Sequence, residues 1–243
     1  MKKKLKKIFI SATTIILLIL SSLLILSINN NDIELEKETI TPVKEIVDYK
    51  DKPIKKEFLN NPSNLITIDG VLQNRLMDDD GSYYYLDHNI NGEYDQIGIP
   101  IIDFRTNFET RKTLIYAHST LAGNGPFQAL QNYPNNPDYY NAHKYISIHY
   151  NDKDYKYEIF SVYISLAENQ NSYELEYFYN TEYTNYDWGR ILKYYKSRSD
   201  YDTGVKVSKN DKIIILQTCS IDPNYYEKYY RYNILVFAKL IKE

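Results

Sequence analysis

Cysteine is almost missing from this 243-residue chain: Cys219 is the only one, which excludes an internal disulfide framework and any paired-thiol zinc or redox site. Tryptophan also occurs once, histidine four times, and glycine and proline eight times each. No phosphate loop, GxGxxG, HExxH or GxSxG string is present, so the chain offers no motif for nucleotide binding, zinc-dependent hydrolysis or a serine nucleophile. The acidic run Asp78-Asp79-Asp80-Gly81 lacks the alternating spacing and closing glutamate of a calcium loop and reads as a solvated turn. What is abundant is apolar and aromatic: a hydrophobic fraction of 43% with 27 tyrosines is too rich for a disordered chain. It suits one globular domain preceded by a different kind of segment.

That segment is the N-terminus. Lys2, Lys3, Lys4, Lys6 and Lys7 precede an uncharged apolar run over 8–28, whose 21 residues are enough to cross a bilayer core as a helix. A cleaved secretory signal is the competing reading, but its apolar core is shorter, about 7–15 residues, and ends at a small-x-small site that is missing around Ser27. The expectation is a single-pass signal anchor over 1–28, with the basic flank in the cytoplasm and the rest of the chain outside the cell. Beyond it the charge is 24 basic against 32 acidic side chains, a net −8, which speaks against nucleic acid as a partner. Residues 29–60 mix both charges, contain Pro42 and Pro53, and read as an extracytoplasmic tether, helical in part where the acid-rich piece packs on the domain.

From 61 to 243 the pattern becomes short β-type runs between turn residues. Strands are predicted at 64–69, 71–76, 97–104, 112–117, 145–150, 155–165, 212–218 and 232–240, all rich in Ile, Val, Tyr and Phe. Eight such runs predict a mainly β domain, a closed or nearly closed eight-stranded barrel. Single helical turns are expected at 127–133 and 137–142. One longer helix is expected at 186–198, where Trp188, Ile191, Leu192 and Tyr195 fall at helical spacing.

Few residues can carry chemistry. Cys219 ends the apolar run 213–219 and opens a polar loop, a setting that holds a thiol rigidly with one side open, as a nucleophile requires. An inert buried cysteine is the ordinary alternative, but an idle thiol outside the cell is a liability. His118 follows the run 113–117 in the same way and precedes a loop with two glycines. Arg231 opens the last predicted strand; taken alone it would be read as a surface ion-pair partner. His88, His143 and His149 lie in polar or alternating surroundings and are weak candidates. On these residues alone, a transferase, a cysteine peptidase or amidase acting on the cell wall, and a catalytically inactive binding domain all stay open.

The strings TLIYAH at 113–118, LQTC at 216–219 and RYNILVFAKLI at 231–241 resemble the His, TLxTC and Arg motifs of the sortases, the membrane-anchored cysteine transpeptidases of Gram-positive bacteria. YYLDHNING at 84–92 and GIPIIDFR at 98–105 are similar to the YYLxHxxxG and GSIFxDxR segments of the class B branch, and so is the helix placed between two late strands. The likeness spans 64–241. Ala117 stands where the family usually has glycine, and Gln217 where it usually has serine.

The resemblance implies a sortase-type barrel with His118, Cys219 and Arg231 as catalytic residues, and a groove lined by Leu86, Gln217, Thr218 and Tyr173, with 173–185 and the following helix as its wall. It implies a threonine-containing sorting motif of surface proteins as substrate. The second partner would be an amine of a peptidoglycan precursor or a pilin. No cofactor and no metal is implied.

Overall fold

Strands built from uninterrupted Ile, Leu and Tyr have no polar face to give to water, so they must be covered on both sides. That requirement organises this domain. In the computed structural model, which describes residues 63–166, 176–221 and 232–243, the strands are β1 (Leu65–Ile68), β2 (Leu72–Arg75), β3 (Met77–Asp78), β4 (Ile101–Ile102), β5 (Lys112–Tyr116), β6 (Tyr145–Tyr150), β7 (Lys153–Leu166), β8 (Ile213–Cys219) and β9 (Tyr232–Lys242). They form one sheet in the order β2-β1-β6-β7-β9-β8-β5-β4-β3. The neighbours β5 and β8 run parallel, and every residue of β5 is buried.

The two ends of that order, β2 and β3, are neighbours in the chain, separated only by Leu76. Leu76 is itself fully buried and donates its N–H to Asn64 O at 3.0 Å. The sheet therefore curls until its edges meet at one residue, and the result is a nearly closed barrel of nine strands where eight were expected. The ninth is β3, whose two residues pair in parallel with β4. The run expected at 97–104 pairs only at Ile101–Ile102, because Gly98 turns the backbone at φ +63° and Pro100 has no N–H to give a ladder.

Inside the barrel Ile66, Ile68, Ile115, Ile146, Ile148, Ile214, Leu216 and Val236 share one buried cluster. Outside it, α3 covers the other face. The helices are α1 (Pro137–Ala142), α2 (Glu176–Tyr179) and α3 (Asn185–Ser197), with 3-10 turns at Tyr84–Leu86 and Gln128–Asn132. Thr184 caps α3 by accepting the Asp187 N–H at 3.1 Å, and the helix buries Trp188, Ile191, Leu192 and Tyr195, the four residues expected from spacing. Tyr195 meets Phe237 of β9 at 4.6 Å between ring centres. Burying side chains of this size stabilises the fold by roughly 1.5–3 kcal/mol each. The expected membrane anchor at 1–28 and tether at 29–60 lie outside the described residues. Among the described residues no helix is long and apolar enough to cross a membrane.

Candidate active site

The parallel pairing of β5 and β8 is in constant register from Lys112 opposite Ile213 to Tyr116 opposite Gln217. One more bond, Ala117 N–H to Gln217 O at 3.2 Å, carries it past the end of the ladder. Continued two residues beyond the last pair, the same offset would bring His118 opposite Cys219. The next residues join the two strands through their side chains: Thr218 Oγ1–H donates to Ser119 Oγ at 2.9 Å, and Ser119 Oγ–H donates to Phe127 O at 3.0 Å, all in the interior. Two stiff strands and a buried hydroxyl chain thus deliver an imidazole and a thiol to one place.

That place is a cavity of about 240 Å³ lined by His118, Cys219, Gln217, Thr218 and Leu86. Five of the seven residues singled out from sequence therefore meet. The other two, Arg231 and Tyr173, lie outside the described residues; β9 begins one position after Arg231, with the Ser220 N–H bonded to Tyr232 O at 2.8 Å. Ala117, which replaces the usual glycine, is not among the residues with positive φ, so its methyl group strains nothing.

Sequence reading missed Tyr83, Tyr116 and Phe178, which with Ala117 complete the lining. Tyr116 could have been found from strand alternation, since it shares a face with His118. Phe178 sits on α2, inside the stretch expected to be a loop wall; it is the residue of that stretch that lines the cavity, and it lies on a helical turn, not a loop. Lys112, fully buried at the start of β5, fastens this wall by donating from Nζ to Asn180 O and, at 2.5 Å, to the Tyr183 hydroxyl.

A polar network stands behind the apolar lining. Asp103, fully buried, accepts two bonds from the Arg105 guanidinium, at 2.9 and 2.7 Å, one from the Arg105 backbone N–H at 2.9 Å and one from the Tyr116 hydroxyl at 2.6 Å. Burial, and then the neighbouring Asp103 charge, hold the Tyr116 hydroxyl well above its ordinary range, so it stays a neutral donor. The Arg105 guanidinium lies 4.7 Å above the Phe178 ring, which ties the network to the cavity wall.

The acidic run is not the solvated turn expected. Asp79 is 7% exposed and accepts the N–H groups of Gly81 at 3.0 Å and Tyr83 at 2.8 Å. It holds Tyr83 in a left-handed conformation, φ 57°, that a tyrosine rarely adopts. Burial pushes the Asp79 carboxyl up to about 6.

Burial also pushes the Cys219 thiol up. A thiolate here needs compensation from nearby positive charge or donors. In chemical terms the cavity offers a recessed nucleophile, an imidazole on the same lining, and an apolar trough that a short extended peptide could fill.

Comparison with known proteins supplies the remaining observation. The Sortase domain family model matches residues 103–241. Sortase B of Listeria monocytogenes is 32% identical over 164 residues, 66% of this chain and 63% of its own length, so the chain spans less than two thirds of that curated relative. A mutant form of Clostridium perfringens sortase B superposes with a TM-score of 0.65 at 25% identity, covering 77% of this chain and 86% of that one. A Staphylococcus aureus sortase B–substrate complex superposes at 0.64 with 24% identity, covering 77% and 82%.

Proposed function

The chain belongs to the sortase family, in its class B branch, and from that premise we propose that it is a cysteine transpeptidase that joins a sorting-motif peptide of secreted surface proteins to an amine. The observation that carries this reading is that His118 and Cys219, just beyond and at the outgoing ends of two neighbouring strands, line one cavity of about 240 Å³.

The Cys219 thiolate attacks the carbonyl carbon of a threonine in the sorting motif; the C–S bond forms as the carbonyl electrons move onto oxygen. Arg231 donates from its planar fork to that oxyanion, a role a lysine point charge fills less well. The oxyanion collapses, the C–N bond breaks, and protonated His118 gives its proton to the departing amine. The acyl group is then a thioester on Cys219. An incoming amine of a peptidoglycan precursor or a pilin attacks it, His118 takes the amine's proton, and the thiolate leaves. Leu86, Gln217, Thr218 and Tyr173 bind the peptide, with Phe178 and Tyr116 adding apolar wall. Residues 8–28 anchor the enzyme in the cell membrane, N-terminus inside, with the tether at 29–60 holding the catalytic domain outside.

Incubating the 61–243 domain with a peptide library and reading product masses with and without triglycine tests the reading. Threonine-ended products that gain the mass of the amine support it. Products identical in both arms would instead identify a hydrolase.

A further inference from the structure

The 3-10 turn Gln128–Asn132 lies across the outgoing ends of both β5 and β8. Its backbone approach is already tight: Phe127 N–H donates to His118 O at 3.0 Å. Two side chains then do something the barrel alone does not. Gln128 Oε1 accepts the Thr120 N–H at 3.0 Å, and Gln131 Oε1 accepts the Ile221 N–H at 3.0 Å. Gln131 Nε2 also donates to the carbonyl of Cys219 itself at 2.8 Å. Thr120 is two residues beyond His118, and Ile221 is two residues beyond Cys219. Side chains three apart on a 3-10 turn leave it in nearly the same direction, so one short element grips both chains with matched carboxamides.

β5 and β8 have ended at Tyr116 and Cys219, so these backbone groups no longer have each other as ladder partners. Partly buried and without the glutamines, they would be left to fray. We propose that Gln128 and Gln131 are positioning residues that extend the register past the end of the sheet and hold His118 level with Cys219. Neither touches the reacting atoms; each acts through the backbone of the residue it grips. The value of the clamp for catalysis rests on the transpeptidase reading, because a misplacement of about 1 Å at a reacting centre can cost about 100-fold in rate. Gln131 holds the nucleophile's own carbonyl and so matters more than Gln128.

Gln131→Met keeps length and volume while removing the carboxamide that makes both bonds, and Gln128→Met does the same on the His118 side. The first readout needs no peptide: the rate of Cys219 alkylation by iodoacetamide across pH, in the full chain. His118→Asn gives the reference curve for the thiol without its neighbouring imidazole. Both Met variants should move from the wild-type curve toward that reference, Gln131→Met further, while melting within a few degrees of wild type. The second readout is peptide turnover per titratable thiol, where Gln131→Met should lose roughly 10–100-fold in kcat with KM within about twofold. Superimposable alkylation curves for wild type and both variants would overturn the clamp. If wild type acylates no peptide, the transpeptidase reading fails, yet the alkylation curves still decide the clamp.

Discussion

Gly125 packs directly on the backbone of His118: a Cβ at Gly125 would fall against His118 O and 2.7 Å from Ser119 Cα, with no flexible side chain to give way. The histidine's position therefore depends on a residue seven places later having no side chain. Gly98 bears the same relation to Leu86, whose carbonyl an added Cβ would strike.

Gly125→Ala should displace His118 by forcing two backbones apart. Overpacking of this kind costs about 1–3 kcal/mol, and for a domain of this size each kcal/mol lowers Tm by about 2–4 °C. Thermal melting and peptide turnover measured together should show activity falling more than the fraction unfolded explains. A variant that melts lower but turns over at the wild-type rate per folded molecule would separate Gly125 from His118 placement.

Thr218→Val removes the hydroxyl that reaches Ser119 while keeping the branched shape that a strand favours. The expected cost is about 0.5–1.5 kcal/mol, the net worth of one intramolecular hydrogen bond. Thr218→Ser retains the donor and should recover most of it. Denaturant unfolding of the three proteins gives the comparison, and a loss in the Ser variant with none in the Val variant would mean the methyl group, not the bond, matters.

How far these features were legible in the sequence depends on how local their causes are. The Ile-rich runs of β5 and β8 announce themselves, and with them the positions of His118 and Cys219 at strand ends. α3 was legible because Trp188, Ile191, Leu192 and Tyr195 repeat at helical spacing. β3 was not, since Met77 and Asp78 become a strand only by lying beside Ile101 and Ile102. The acidic run misled for a related reason: three aspartates look solvated until Tyr83 and Gly81 turn their N–H groups onto Asp79. Gln128 and Gln131 carry no signal at all, because their partners are 8 and 88–90 residues away and are met only through the topology.

Asp79 gives the fold a pH dependence of definite sign. Its carboxyl protonates at about 6 in the fold against 3.8 ordinarily, so the folded state binds this proton more tightly than the unfolded one. The resulting stabilisation is fully present below 3.8 and is lost as pH rises through about 6. Asp79→Asn lacks the titrating group, so the Tm of wild type minus that of the variant should shrink between about pH 4 and about pH 7. A difference that widens with pH would assign the opposite sign.

Gln217 lines the cavity, and its buried amide oxygen has no hydrogen-bond partner among the described residues. A small side-chain rotation would turn this orphaned acceptor to the trough, where a donor on the peptide can satisfy it. Gln217→Ser should therefore reorder which library peptides are preferred, by roughly 5–30-fold for peptides that use the contact, a change of about 1–2 kcal/mol. Cleavage at threonine should persist. An unchanged ranking would remove Gln217 from recognition.

The central claim is that the thiol at the end of β8 takes the acyl group. Intact-mass spectrometry after mixing the 61–243 domain with a cleavable peptide reads this directly. The account predicts an adduct of the peptide's N-terminal part, localised to Cys219, cleared by triglycine, absent in Cys219→Ala and lost or greatly reduced in Arg231→Ala. An adduct that survives in Cys219→Ala, or one that forms at wild-type rate in Arg231→Ala, would contradict it.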